Sequence, residues 1–317
     1  MLYVVGGSLD PNIAHLMAAL RRLRRTFVPI LIGPNEQPTF HWDLESDVLL
    51  INGEAVRPTS VFLRYDVFAN LSDQRPESAY RAHCWYVSVE GWLQAHPDVA
   101  VLNRNYSGTT NKIATLCLAR DLGIAVPRTV LSNDFVELEG SGIISGHVVK
   151  PVIGGEYTRR MSDVLPSAER RGRGGAAPAI VQEELVSPDF RVYQIGSTQT
   201  AFRIQSQAID YRTDSACKIE HVEHIESELA LSLRRLTRVL RLDFSAADYK
   251  VNARTGELEF LEINSAPMFV AFDRAARFTL TRQIFKHLQA ICKSSSIRND
   301  HMIGRCQPSQ SLDAHGI

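Results

Sequence analysis

The chain has 317 residues and a mass of 35.4 kDa; 44% of its residues are hydrophobic and 22% are charged, a composition typical of a folded protein with about two domains. Lys and Arg together number 35, as do Asp and Glu, so the formal net charge is zero and the basic surplus of a dedicated nucleic-acid-binding protein is missing. The sequence also contains no run of about 18 apolar residues, the length that a membrane-spanning helix needs.

The N-terminal third alternates strand and helix signals. Residues 2–6, 27–32 and 61–65 are apolar runs of strand length. Asp10-Pro11 is a helix start, because Asp is a favourable N-cap and Pro fits the first helical turn. This β-α-β order predicts a small α/β domain with an open sheet over residues 1–105.

The rest of the chain continues as predicted helices, strands and hairpins. A helix should end at Gly123, since glycine permits the left-handed backbone of a helix end. Two hairpins should turn near Ser197 and Thr255. The residues from Ser294 onward lack a hydrophobic period and are predicted to form a disordered tail. The predicted segments are a helix at 110–122, strands at 147–152 and 179–186, hairpins at 189–206 and 246–264, and helices at 227–241 and 275–292.

The hairpin at 246–264 carries the strongest chemical signal. Its predicted register places Asp248 opposite Glu262, and Asn264 shares the face of Glu262 because side chains alternate along a strand. Leu258 and Phe260 are expected to precede them on that face. Two opposed carboxylates repel one another unless a cation neutralises them, and such oxygen donors suit Mg²⁺. The alternative is a solvent-facing hairpin end with ordinary acidic residues.

Two lysines occupy unusual positions. Lys112 lies in the first turn of its predicted helix, where a cation opposes the helix dipole, and Lys150 ends an apolar strand. Gly154 and Gly155 follow, and glycines let backbone amides approach a phosphate closely. The pattern favours contacts with the phosphates of a nucleoside triphosphate. The alternative is that the lysines are ordinary surface residues and the glycines form a loop without a ligand.

Arginines form another candidate pair in the hairpin at 189–206. A turn near Ser197 would place Arg191 opposite Arg203 to within about one residue of register. Two arginines across a strand pair are unfavourable unless an anion lies between them. A phosphate or a substrate carboxylate would be such an anion, whereas the alternative is that both side chains extend into solvent.

Over roughly residues 100–292 these segments resemble, in order and spacing, those of the ATP-grasp superfamily. The resemblance is closest to the RimK and glutathione-synthetase side, and AFRIQSQAIDYR is similar to the graspetide-type ligases that cross-link peptide side chains. The segments that carry it are NKIATLCLARDLGIAVPRT, HVVKPVIGG, IVQEELVSPDFRVYQIG, DFSAADYKVN and FLEINSAPMF.

The resemblance implies an α/β fold in which two α+β lobes clasp ATP behind a pre-ATP-grasp domain. The implied boundaries are the N-terminal domain at 1–105, a central lobe with a mobile lid at 106–185, a C-terminal lobe with the metal site at 186–293, and the tail at 294–317. The lid itself is predicted over residues 153–178, where glycines and arginines are frequent.

The resemblance also implies roles for individual residues. These are phosphate contacts from Lys112, Lys150, Gly154 and Gly155; adenine contacts from Gln182 and Glu183 with the backbone of Glu184 and Val186; a ribose contact from Asp189; contacts to the γ-phosphate and the acyl phosphate from Arg191 and Arg203; and two Mg²⁺ ions held by Asp248, Glu262 and Asn264.

The activity that the resemblance implies is that of an ADP-forming carboxylate–amine ligase. ATP would convert a carboxylate into an acyl phosphate, and an amine on an amino acid, metabolite or peptide would displace the phosphate. Two alternatives are a graspetide-type ligase that forms side-chain esters or amides and a non-catalytic ATP-binding scaffold. The implied cofactors are ATP and Mg²⁺, with Mn²⁺ as a substitute.

Expectations about partners and location complete the prediction. The substrates should be small-molecule or peptide carboxylates and amines, with no nucleic acid and no membrane, and a homodimer is allowed. The five cysteines are far apart without metal-binding spacing, and the N-terminus has no basic leader before its apolar run. Reduced thiols in a cytoplasmic protein are therefore expected.

Overall fold

The chain folds into two compact units. One consists of Met1–Arg104 with Thr281–Ile317, and the other of Asn105–Leu280. The computed structural model describes residues 1–36, 38–106, 111–153, 157–165 and 174–303.

The first unit is built on a parallel sheet, which confirms the α/β domain predicted from the β-α-β pattern. Its elements in chain order are β1 (Leu2–Gly7), α1 (Pro11–Arg22), β2 (Phe27–Ile32), β3 (Phe40–Asp43), β4 (Val48–Ile51), β5 (Glu54–Ala55), β6 (Ser60–Leu63), α2 (Ala69–Ser72), α3 (Glu77–Ala95) and β7 (Ala100–Val101). The sheet has the strand order β2-β1-β6-β7, while β3, β4 and β5 form a separate antiparallel sheet. Asp10 caps α1 through the N–H of Asn12, as predicted.

The second unit contains two antiparallel sheets, with strand orders β10-β9-β11-β8 and β14-β13-β12-β15-β16. Its elements are α4 (Lys112–Asp121), β8 (Thr129–Asp134), α5 (Phe135–Gly140), β9 (His147–Pro151), β10 (Arg159–Arg160), α6 (Met161–Val164), β11 (Gly174–Glu183), β12 (Val186–Ile195), β13 (Thr198–Gln205), a 3-10 turn (Tyr211–Thr213), β14 (Lys218–Val222), α7 (Ser227–Leu240), β15 (Phe244–Val251), β16 (Leu258–Asn264) and α8 (Val270–Ala275). Both predicted hairpins form, and Gly123 follows α4 with a φ of 75°.

Helices α4 and α7 cover one face of the five-stranded sheet. Leu116 of α4 and Leu233 of α7 are buried in one core with Val192, Ala247 and Tyr249 from the strands. Alternate residues of these strands point to the other face. The face covered by α4 and α7 therefore supplies this core, and the opposite face carries polar side chains beside Tyr193 and Phe202, which are buried against Phe272 of α8.

The C-terminal helices differ from the prediction. In place of the helix expected from residue 275, one helix, α8, ends at Ala275 and a second begins at Thr279, because Arg277 and Phe278 between them have left-handed φ values of 51° and 65°, which a right-handed helix does not accommodate. The second helix, α9 (Thr279–Ile303), continues through 294–303, where the lack of a hydrophobic period predicts a disordered tail. Helix propagation adds one hydrogen bond per residue and needs no hydrophobic period once the helix is nucleated. Residues 304–317 lie outside the described part of the chain.

Candidate functional site

Polar side chains line up in rows across β12, β15 and β16 on the sheet face opposite the helices. These strands are neighbours, and their register brings residues from all three side by side. The rows are Asp189 with Lys250 and Glu259, then Arg191 with Asp248 and Glu262, then Tyr193 with Ala246 and Asn264. The predicted opposition of Asp248 and Glu262 is thus confirmed.

A β-bulge in β16 explains how these acids come together. Asp248 pairs with Glu262, but the next residue of β15, Tyr249, pairs with Phe260, so Leu261 is the extra residue of the bulge. The expectation that Leu258 and Phe260 share the face of Glu262 is wrong. Phe260 is fully buried in the core beneath α4 and α7, and Leu258 packs against the same core. The extra residue shifts the alternation by one position and turns the apolar residues inward.

Asp248 is held by a two-pronged ion pair with Arg191. The Nε and Nη2 atoms of Arg191 each donate to one carboxylate oxygen of Asp248 at 2.7 Å. The guanidinium carbon of Arg191 also lies 5.2 Å from the centre of the Phe272 ring. Burial raises the pKa of the Asp248 carboxyl, the pairing with Arg191 opposes that shift, and the nearby charge of Glu262 adds to it.

Glu262 is the acid that the lysines approach. Its Oε2 lies 3.1 Å from Nζ of Lys112, and its Oε1 accepts a hydrogen bond of 3.3 Å from Nδ2 of Asn264. Burial opposes ionisation of Glu262, yet the charges of Lys112 and Lys150 hold its pKa below the ordinary value. Lys112 reaches this position because Asn111 caps α4 by accepting from the N–H groups of Ile113 and Ala114, which begins the helix beside the sheet.

Lys150 is partly buried and bonded to a glutamine. Its Nζ donates to Oε1 of Gln182 at 2.8 Å, and Nε2 of Gln182 donates to Oγ1 of Thr129 at 2.9 Å. Burial lowers the pKa of Lys150 to about 8, with the positive charges of Lys112 and Lys250 acting in the same direction. The side chain of Gln182, which is only 1% exposed, therefore orients this lysine.

The residues predicted to frame adenine lie at the end of β11 and the start of β12. Glu183 accepts from Nη2 of Arg254 at 2.8 Å, and the backbone N–H of Glu184 donates to the carbonyl of Gly146 at 2.9 Å. Val186 is 42% exposed. Gly154 and Gly155 lie outside the described residues, as do residues 166–173 of the predicted lid at 153–178.

The predicted pairing of Arg191 with Arg203 is wrong. The turn at Gly196-Ser197 joins Ile195 directly to Thr198, and this register places Arg191 opposite Phe202. Arg203 lies opposite Phe190 on β12 and Glu220 on β14. Because neighbouring residues of a strand face opposite ways, Arg203 projects from the sheet face opposite to Arg191 and the two do not share an anion site.

Lys250 was not among the predicted site residues, and Asp210, Tyr211 and Arg212 were given no role, although they end the segment AFRIQSQAIDYR. Oδ2 of Asp210 accepts from the N–H of Thr158 at 3.1 Å, and Arg212 pairs with Asp210 while its guanidinium lies 5.2 Å from the ring centre of Tyr157. Burial raises the pKa of Tyr211, whose environment includes the charges of Arg191 and Asp248. Strand alternation would have revealed Lys250, since it follows Asp248 by two residues and so shares its face.

The donor set fits magnesium better than a softer metal. Asp248 on β15 and its register partner Glu262 on β16 each offer a carboxylate. Asn264, two residues after Glu262, offers an amide oxygen. Hard oxygen donors in small number, completed by water and phosphate, are what Mg²⁺ takes in nucleotide sites. Within the described residues there is no group of three or more His, Cys, Asp or Glu side chains suited to hold a metal.

No family model and no curated protein sequence matches the chain. Among solved structures it is similar to the ATP-grasp ligase PsnB complexed with a minimal precursor, at 26% identity and a TM-score of 0.73, covering 92% of this chain and 98% of that one. PsnB has also been solved with the minimal precursor, Mg and ADP. The macrocyclase MdnC from Microcystis aeruginosa MRC, bound with the precursor peptide MdnA, matches at 15% identity and a TM-score of 0.65, covering 91% and 99% of the two chains.

A D-alanine–D-alanine ligase has the same fold. The enzyme from Bacillus anthracis, complexed with ATP, matches at 15% identity and a TM-score of 0.56, covering 92% of this chain and 98% of that one.

None of the helices in the described ranges is both long and apolar enough to cross a membrane.

Proposed function

Since this chain belongs to the ATP-grasp superfamily of ligases and is related to the graspetide-type ligases, we propose that it modifies a peptide. In this proposal ATP activates a carboxylate of the peptide as an acyl phosphate, and a hydroxyl or amine of the same peptide displaces the phosphate. The product is an ester or amide link, with ADP and phosphate as the other products.

The observation that carries the proposal is the convergence of cations and acids on one sheet face. Lys112 and Lys150 lie near Glu262, and Arg191 is bonded to Asp248. The phosphates of a nucleotide require positively charged side chains such as these lysines and this arginine. The paired acids require the Mg²⁺ ions that accompany a nucleotide. The choice of a peptide over a free metabolite is supported by PsnB, whose solved complexes contain its precursor.

The residues of this chain would divide the work by position. We assign Lys112 and Lys150 to the phosphates, Asp189 to the ribose, and the backbone around Glu184 to the adenine. Arg191 lies against Asp248, which is a proposed metal ligand, so its guanidinium would be close enough to neutralise charge on the transferring phosphoryl group. Catalysis in this scheme is positioning plus electrostatic stabilisation, with no covalent intermediate on the protein.

Asp248, Glu262 and Asn264 are the residues that would hold Mg²⁺. When bound, Mg²⁺ supplies positive charge that neutralises the phosphates and polarises the bond to the leaving ADP. The residues themselves set where that charge lies: Arg191 fixes the Asp248 carboxylate, and Lys112 and Asn264 fix the Glu262 carboxylate.

The bonds balance without a further reactant. A peptide carboxylate oxygen forms a bond to the γ-phosphorus of ATP, and the bond from that phosphorus to the β–γ bridging oxygen breaks to release ADP. The hydroxyl or amine then bonds to the acyl carbon as phosphate leaves, and the proton of the nucleophile passes to solvent or phosphate. The modified peptide is therefore lighter by one water per link.

The experiment combines purified protein, ATP, Mg²⁺ and a panel of acidic peptides, amino acids and small carboxylates. ADP release that requires one of the peptides, together with loss of one water from that peptide by mass spectrometry, supports the proposal. A chelator control should abolish both signals. ADP release driven only by a free amino acid or metabolite would point to a small-molecule ligase, and nucleotide binding without ADP release from any substrate would point to a scaffold.

A further inference from the structure

Lys250 is a buried lysine to which the proposed mechanism gives no role. It lies on β15 two residues beyond Asp248, and it is only 7% exposed. Its Nζ lies 3.2 Å from Oδ2 of Asp189 and donates to the carbonyl of Ile209 at 3.0 Å. One ammonium group therefore contacts both the strand that carries the proposed ribose ligand and the loop that follows β13.

Asp189 depends on this lysine for compensation of its charge. The Oδ2 atom of Asp189 is buried, and the ammonium of Lys250, 3.2 Å away, offsets its charge more than Lys150 does. Glu259, the register partner of Lys250 on its other side, instead accepts from Nδ2 of Asn252 at 2.9 Å. Placing an ammonium here costs desolvation that an apolar side chain would avoid, so stability alone does not explain the lysine.

The loop that Lys250 contacts is an ordered turn, residues 206–214, referred to below as the 206–214 turn. Oγ of Ser206 donates to Oδ2 of Asp214 at 2.6 Å, which closes the turn, and Asp210 caps its 3-10 segment. Ile209 bonds to Lys250, and the next residue, Asp210, accepts from the N–H of Thr158. The turn is thus anchored on one side to the sheet and on the other to the segment that follows the proposed phosphate loop.

We propose that Lys250 is a positioning residue that couples the ribose side of the nucleotide site to the 206–214 turn. By holding the Asp189 carboxylate and the Ile209 carbonyl on one ammonium, it keeps the turn, with Tyr211 and Arg212, in place when Asp189 engages a nucleotide. This inference rests on the proposed function, because it requires that nucleotide binds at Asp189.

The test is hydrogen exchange with and without AMPPNP and Mg²⁺, in the wild type and in Lys250→Met. In the wild type we expect nucleotide to slow exchange in the 206–214 turn about tenfold, the scale of one net hydrogen bond. In Lys250→Met that slowing should be lost while nucleotide still slows exchange in β9 around Lys150. Lys250→Arg should restore it, since arginine keeps both the charge and the donors.

Lys218→Met is the matched control, because Lys218 is an exposed lysine of β14 in the same sheet. It should behave as the wild type. If Lys250→Met does not fold, Lys250→Gln takes its place and is expected to lose the coupling that Lys250→Arg keeps. The coupling role of Lys250 is overturned if nucleotide still protects the turn in Lys250→Met or Lys250→Gln. It is also overturned if the wild type binds nucleotide with no effect on the turn. Both outcomes leave the proposed function standing. A wild type that does not bind AMPPNP with Mg²⁺ overturns the proposed function itself.

Discussion

Among the single residues of the site, Glu262 is the acid that lies near both proposed phosphate lysines, Lys112 and Lys150. Lys112 lies 3.1 Å from it, Asn264 donates to it, and its pKa is held low although partial burial opposes ionisation. A carboxylate that stays ionised in a partly buried position is suited to a cation, and replacing it with the neutral amide should remove that capacity while preserving the shape of the side chain.

We therefore expect Glu262→Gln to fold normally and to lose Mg²⁺-dependent ADP formation by at least about a hundredfold, the scale of a lost charge contact in the transition state. The measurement is ADP release at saturating Mg²⁺, with circular dichroism to verify the fold. Glu257→Gln is the control, because Glu257 is an exposed residue of the same hairpin. Turnover by Glu262→Gln near that of the control would remove Glu262 from the metal site.

Lys150 gives a prediction about pH. Burial brings its pKa down to about 8, so it carries its proton below that pH and loses it as the pH rises above. A bound phosphate favours the charged form, so nucleotide affinity should be constant below the transition and fall as the pH rises through about 8, with proton uptake on binding in that range.

Calorimetry of AMPPNP with Mg²⁺ between about pH 7 and pH 9.5, in buffers of different ionisation enthalpy, measures both effects. Lys150→Arg should bind with no such fall, because arginine stays charged throughout. An equal fall in the wild type and in Lys150→Arg would assign the titration to another group.

Secondary-structure elements were predictable from the sequence to the extent that local patterns determine them. Alternation and turn residues were enough to locate both hairpins and to place Asp248 opposite Glu262. The bulge at Leu261 was not predictable, because no local signal marks where a strand gains a residue, and it reversed the faces of Leu258 and Phe260. Helix α3 went unpredicted, since the residues that it buries include Ser78 and Ala82 beside Trp92 and form no clear apolar stripe.

The Arg203 error shows how a small register difference changes a functional assignment. The turn at Gly196-Ser197 was located correctly, but a shift of one residue in the pairing moves a side chain to the other face of the sheet. We accordingly expect Arg203→Gln to keep ADP formation within about threefold of the wild type, the scale of a substitution away from the site.

Arg191→Gln is the matched comparison on the neighbouring strand. It removes the partner of the mostly buried Asp248, so it should lower ADP formation strongly and destabilise the fold by up to roughly 3–5 kcal/mol, the cost of leaving a fully buried charge unpaired. Urea unfolding and ADP release of both variants test the register. Equal loss of activity in the two, with folding intact, would place Arg203 in the site after all.

On the scale of the whole molecule, every described residue assigned to nucleotide or metal lies in the unit formed by Asn105–Leu280. A ligand that binds only the folded state stabilises it by about 2.7 kcal/mol at a concentration one hundred times its Kd. A bound ligand suppresses local opening most in the elements that hold it. Protection from hydrogen exchange should therefore increase most in β9, β12, β15 and β16.

The final prediction follows from this confinement. AMPPNP with Mg²⁺ should slow hydrogen exchange in β12, β15 and β16, and leave β1 and β6 of the first unit unchanged, because neither strand carries a proposed nucleotide ligand. AMPPNP with a chelator is the control, and it should give weaker protection in β15 and β16, where Asp248 and Glu262 lie. Protection of β1 and β6 equal to that of β15 would mean that the first unit takes part in nucleotide binding, and the ligand assignments would then have to include it.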